Sequence, residues 1–107
     1  MNEYVDNELY ESSNNDIVVS LGARFRDLRI ALCLTQKEVS EQSGVSVMTI
    51  VRFERGESTS IRLDNFIALM RCVQRLEYVA EIIPETQPLL YDNPLSKGRH
   101  RVKKTKR

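Results

Sequence analysis

The residues that could do chemistry are one histidine and two cysteines, with 15 acids and 16 Lys and Arg spread along the chain. Catalysis has few candidates among them. The single histidine, His100, stands among bases with no acid or cysteine beside it, so its expected role is a weak phosphate contact or none. No Ser/His/Asp set, glycine-rich phosphate loop or pair of carboxylates on one rigid face is present, and the expectation is a protein that is not an enzyme. Cys33 and Cys72 lie among apolar neighbours without a CxxC or a Cys/His cluster. They read as buried core thiols, and neither a metal nor a cofactor is expected.

Short helices must position such side chains. Leu21, Phe25, Leu28 and Leu32 recur at i, i+4, i+7 and i+11, which predicts a first helix capped by Ser20 and ending near Leu34. The sequence TQKE from Thr35 to Glu38 is a capping-box pattern: the Thr35 hydroxyl accepts from the Glu38 amide while the Glu38 carboxylate accepts from the Thr35 amide. A second helix begins there and is short, since Gly44 follows Ser43 where a C-terminal cap needs a positive φ. Ser46 then starts a third helix from Val47 to about Glu54, with Ile50 and Phe53 on one face and Gly56 beyond its end. Leu63, Phe66, Ile67, Met70 and Val73 form the stripe of a fourth helix. Leu76, Val79 and Ile82 or Ile83 suggest a brief fifth that Pro84 terminates. No segment alternates for long with strand period.

Composition agrees with a small helical domain. The chain has 107 residues, of which 41% are hydrophobic, enough to give each short helix an apolar face but not to build a deep cleft. Lys plus Arg number 16 against 15 Asp plus Glu, yet this balance hides three zones. Residues 1–16 hold five acids and no base, residues 17–96 nine bases and ten acids, and residues 97–107 seven bases and no acid. The organisation expected is an acidic N-terminal extension (1–16), a helical domain (17–83), and a Pro-containing linker with a basic C-terminal tail (84–107). No apolar run approaches the roughly 18 residues of a membrane span, and the acidic start MNEYVDNELYE is unlike a signal peptide. The expectation is therefore a cytoplasmic protein without a membrane partner.

Two short helices joined by a tight glycine-containing turn, the second anchored on one face by Ile50 and Phe53, make a helix-turn-helix arrangement. Moreover, TQKEVSEQSGVSVMTIVRFERGES resembles the Cro/C1-type (XRE) family pattern T-Q-x-x-[A/L]-[A/S]-x-x-x-G-[V/I]-S-x-x-x-[I/V]-x-x-[F/L/W]-E-x-G. Thr35, Gln36, Val39, Ser40, Gly44, Val45, Ser46, Ile50, Phe53, Glu54 and Gly56 fit it, with modest departures at Val39, where Leu or Ala is commoner, and at Ser40, where the family often has Ala. The resemblance covers about residues 18–76 and implies an all-α, compact five-helix lambda-repressor-like domain that binds double-stranded DNA. It implies that Ser46, Val47, Met48 and Arg52 face the major groove, with Arg52 the strongest base-reading candidate because a guanidinium pairs bidentately with guanine O6 and N7, and that Gln36 at the start of the second helix bonds a phosphate. Thr49 and the Arg55 to Ser60 loop, with Arg55, Thr59 and Ser60 foremost, would then lie near the backbone, and Arg62 is a further phosphate candidate. It also implies that Arg29 and Glu54 form a structural ion pair between the first and third helices. Val47 and Met48 offer methyl contacts but no base hydrogen bonds, so shape readout would carry more of the specificity. Ordinary, partly buried helix positions are the alternative for both residues.

In the tail, Lys97, Arg99, Arg101, Lys103, Lys104, Lys106 and Arg107 are candidates for phosphate contacts, with a solubilising tail as the other reading. The acidic head has three open roles: disorder, pairing with the basic arm as a DNA mimic, or docking on a partner through Tyr4, Val5, Leu9 and Tyr10. A homodimer is expected, because one short reading helix touches few bases and a palindrome doubles the contacts. Tyr78, Val79, Ile82 and Ile83 are its candidate seam. The fifth helix, the Pro-containing linker and the RVKK end resemble the HipB-like antitoxin subgroup. That resemblance implies an autoregulating repressor with a HipA-like toxin kinase, encoded in the same operon, as partner. The alternative is a protein-interaction antitoxin module for which DNA binding is secondary.

Overall fold

A computed structural model describes residues 8–86; residues 1–7 and the basic tail lie outside the described residues. Five helices follow one another as α1 (Asn14–Ala31), α2 (Gln36–Ser43), α3 (Val47–Arg55), α4 (Leu63–Cys72) and α5 (Leu76–Ala80). Residues 8–11 are helical as well, so the described residues hold six helical segments where five helices were expected. No strand occurs among the described residues.

The start of α1 differs from expectation because a cap lies outside the apolar repeat that reveals a helix. Ser13, and not Ser20, is the N-cap: its hydroxyl accepts from the Asp16 amide at 3.0 Å, and the Asp16 carboxylate complements the positive end of the helix. The polar sequence Asn14-Asn15-Asp16 thus belongs to the helix although no periodicity marks it. At its other end α1 stops at Ala31, short of Leu34. Cys33 takes a left-handed φ of 61°, its amide donates to the Ile30 carbonyl at 2.9 Å, and the Leu34 amide donates to the Arg29 carbonyl at 3.1 Å. This is a Schellman stop without glycine. Gln74 repeats it after α4 with φ 63°, and the Arg75 amide donates to the Met70 carbonyl at 2.8 Å.

The stop after α1 also overturns the expectation of two buried thiols. Cys33 is exposed, and Cys72 is half-buried with its Sγ 3.3 Å from Gln42 Oε1. The stripe of α4 is borne out in part: Val73 is fully buried and Phe66 packs on the core, but the unexpected Leu69 is fully buried as well, whereas Leu63, in the first turn, is 69% exposed. Leu32, assigned to the stripe of α1, is its exposed C-cap. Helix α5 ends at Ala80, before Pro84: the Glu81 and Ile82 amides donate three residues back, to the Tyr78 and Val79 carbonyls, and the residue preceding a proline disfavours helical backbone.

Phe25, Val39, Val45, Ile50, Phe53, Leu69 and Val73 make the core. Phe53 is its centre, with ring centroids 5.9 Å from Phe25 and 6.1 Å from Phe66, the latter edge-on. Helix α1 packs on α3 more extensively than any other pair of helices, and Gly22 makes this possible. A Cβ built at Gly22 would lie 1.9 Å from the Phe53 carbonyl oxygen, so any larger residue forces the helices apart. Gly22→Ala should therefore cost about 1–3 kcal/mol or more in urea unfolding; an unchanged midpoint would disprove the close approach. Burial pushes the Cys72 thiol above its ordinary pKa, which lowers its reactive thiolate fraction at neutral pH. Stoichiometric thiol labelling of the native protein should modify Cys33 before Cys72, as peptide mapping would read.

Candidate nucleic-acid interface

The α2–turn–α3 unit is built from local hydrogen bonds. The Glu38 amide donates to Thr35 Oγ1 at 3.0 Å and the Thr35 amide to Glu38 Oε1 at 2.8 Å, the complete capping box at the start of α2. Gly44 ends α2 at φ 80°, its amide donating to the Ser40 carbonyl at 2.9 Å. Val45 then drops into the core, and Ser46 caps α3 by accepting from the Thr49 amide at 3.1 Å. Its hydroxyl also donates to Thr49 Oγ1 at 2.9 Å. The turn between the two helices is thus three residues, Gly44 to Ser46.

Helix α3 has two faces. Ile50, Phe53 and Glu54 are buried, while Val47, Met48, Arg52 and Arg55 are exposed, Met48 by 57%. Glu54 is a buried carboxylate in an otherwise apolar interface, and three donor groups explain how it is tolerated there. Arg29 donates from Nε to Glu54 Oε2 at 2.7 Å and from Nη2 to Oε1 at 2.9 Å, and its Nη1 donates to the Leu34 carbonyl at 2.8 Å. Gln36 Nε2 donates to Glu54 Oε1 at 3.0 Å. Hydrogen bonding to Glu54 pushes the Arg29 guanidinium above its ordinary pKa despite the opposing effect of burial. The ion pair is therefore geometrically complete, and no buried side-chain nitrogen or oxygen among the described residues lacks a partner.

The expected contact residues fall into three places. Ser46, Val47 and Met48 sit at the amino end of α3. Thr49, Arg52, Ser60 and Arg62 line one hollow of about 180 Å³ between α3 and the loop leading into α4, together with Ser58 and Asn65. Gln36 and Arg55 border a second hollow of about 410 Å³ at the amino end of α2, with Arg26 beside them. The Gln36 amide is turned inward to Glu54, whereas a phosphate contact was the expectation for it. Thr59 is half-buried and lines neither hollow. The seven tail bases lie outside the described residues. Asn65 and Arg26 were not singled out from sequence; the only signal was their proximity to Arg62 and Arg29 along the chain. Two of the interface arginines already have acidic neighbours: Arg62 pairs with Asp64 at 2.9 Å and Arg55 with Glu57 at 3.7 Å. Arg62 holds the Asp64 carboxyl below the usual carboxylate range, mainly by hydrogen bonding.

Among the described residues no group of three or more His, Cys, Asp or Glu is placed to hold a metal ion, and no helix is long and apolar enough to cross a membrane. Glu54→Ala would strand Arg29 and leave the Gln36 amide without its acceptor. Removing one partner of a buried ion pair costs about 3–5 kcal/mol, so this variant should show a large loss of stability in chemical unfolding, and a loss below about 1 kcal/mol would mean that the pair is dispensable.

No curated protein matches the chain. Residues 25–74, which run from the buried Phe25 of α1 through the whole of α4, match the family model described as Helix-turn-helix, of XRE type, and this match supports a DNA-binding transcription regulator.

Proposed function

We propose that the protein is a sequence-specific transcriptional repressor that binds a palindromic operator as a dimer and represses its own operon. The observation that carries this reading is the two-faced α3: a rigid inner side fixed by Ile50, Phe53 and the Glu54 ion pair, and an outer side offering Val47, Met48 and Arg52. Arg52 is the guanine reader. Val47 and Met48 supply apolar contact with thymine methyl groups, and the Ser46 hydroxyl is already engaged in capping. Direct readout is therefore sparse, and groove shape contributes the remainder.

Residues 8–86 carry nine Lys and Arg against twelve Asp and Glu. Long-range attraction to DNA then falls to the seven bases of residues 97–107, which add phosphate contacts through counterion release. Tyr78, Ile82 and Ile83 are 62%, 61% and 81% exposed; this apolar end of the domain is the proposed dimer seam. Action at the nucleoid in the cytoplasm follows from the same reading. A HipA-like toxin kinase as operon partner rests on the resemblance of the fifth helix and its flanks, and a kinase-like reading frame beside the gene is its check.

Fluorescence anisotropy of a labelled duplex from upstream of the gene, against a scrambled duplex and across a salt series, tests the proposal. Wild type should prefer the upstream duplex, with two chains bound per duplex by sedimentation. Arg52→Ala should lose about 1–3 kcal/mol on the upstream duplex and much of the preference. Removal of residues 97–107 should weaken both duplexes and flatten the salt dependence. Equal, weak binding of wild type to both duplexes would overturn the assignment.

A further inference from the structure

Beside α3, one arginine of the interface is not available in the way its position suggests. Arg62 is the N-cap residue of α4 and lines the same hollow as Arg52, Thr49 and Ser60. Its Nε donates to Asp64 Oδ1 at 3.0 Å and its Nη2 to Asp64 Oδ2 at 2.9 Å. This fork-to-fork pairing fills one complete edge of the guanidinium, an edge that also suits two oxygens of a phosphate. The two side chains are 76% and 67% exposed, and exposed pairs of this kind add little to folding stability. Asp64 touches no core residue; as the acid in the first turn of α4 it also complements that helix's positive end, a role that does not need Arg62.

We infer that Asp64 restrains the affinity of this protein for the DNA backbone, acting through Arg62. A phosphate approaching the hollow must either displace the Asp64 carboxylate from the guanidinium or bind with that negative charge beside it. Both routes reduce the gain from the contact. The effect is independent of base sequence, so Asp64 keeps non-specific binding low while leaving the base-reading side of α3 untouched, and the ratio of specific to non-specific affinity then depends more on Arg52. Glu57 stands in the same relation to Arg55, but through a single 3.7 Å contact, and its restraint is correspondingly weaker.

This inference rests on the DNA-binding reading, and the test separates the two. Anisotropy titrations of the full chain on the upstream and scrambled duplexes compare wild type, Asp64→Asn, Arg62→Ala, the double variant and Glu57→Gln over a salt series. Asp64→Asn should tighten binding to both duplexes about three- to tenfold and steepen the slope of log affinity against log salt by about 0.9, one added phosphate contact. In the Arg62→Ala background the same substitution should gain less than about twofold, because the coupling between the two residues has been removed. Glu57→Gln should gain less than Asp64→Asn. A gain of equal size with and without Arg62 would show simple removal of charge and overturn the role of Asp64, as would no gain at all. Failure of wild type to bind either duplex overturns the DNA-binding reading itself.

Discussion

The ion pair between Arg29 and Glu54 is the interaction on which the arrangement depends, because it joins four parts of the chain at one buried point. Arg29 belongs to α1, Glu54 to α3, the Leu34 carbonyl to the turn after α1, and the Gln36 amide to the first turn of α2. Apolar contacts at Phe25, Phe53 and Phe66 fill the core but are non-directional. A bidentate guanidinium–carboxylate pair is directional, since two parallel hydrogen bonds tolerate little rotation. Burial of such a pair brings no assured stability relative to an apolar substitute. What it supplies here is a fixed angle between the helix that carries Arg52 and the helix that crosses behind it.

Gly22 and Gly56 act on the same relation from the backbone side. Without a side chain at Gly22, the α1 backbone rests against the Phe53 carbonyl; at Gly56, with φ 73°, the chain leaves α3 under Val19 of α1. The polar and steric constraints therefore converge on one helix pair, and the loop that carries Ser58, Ser60 and Arg62 starts from that fixed point.

Much of this was legible from the residues. The capping box at Thr35 and Glu38, the stop at Gly44 and the cap at Ser46 each name their own partners within three or four positions, and the backbone followed them. The features that escaped have physical reasons too. Ser13 caps α1 ahead of any apolar repeat, and Cys33 and Gln74 end helices in left-handed conformations that glycine would have announced. Leu63 was misplaced in the stripe of α4 because it looks apolar from its type although its place in the first turn leaves it in solvent. At the interface, the grouping of Thr49, Arg52, Ser60 and Arg62 was within reach of the resemblance. The inward turn of Gln36 and the pairing of Arg62 with Asp64 were not: side-chain amides and exposed guanidinium groups choose among several partners that lie close only after folding.

Within the nine residues of α3, the groups that hold the helix and the groups that face outward occupy separate positions. Ile50, Phe53 and Glu54 fix its seat, and Val47, Met48 and Arg52 share none of their hydrogen bonds. Divergent copies of such a chain can exchange the outward side chains one at a time without disturbing the scaffold. Retargeting to a new site thus becomes a surface change at constant fold, open to gradual evolution and to deliberate redesign alike.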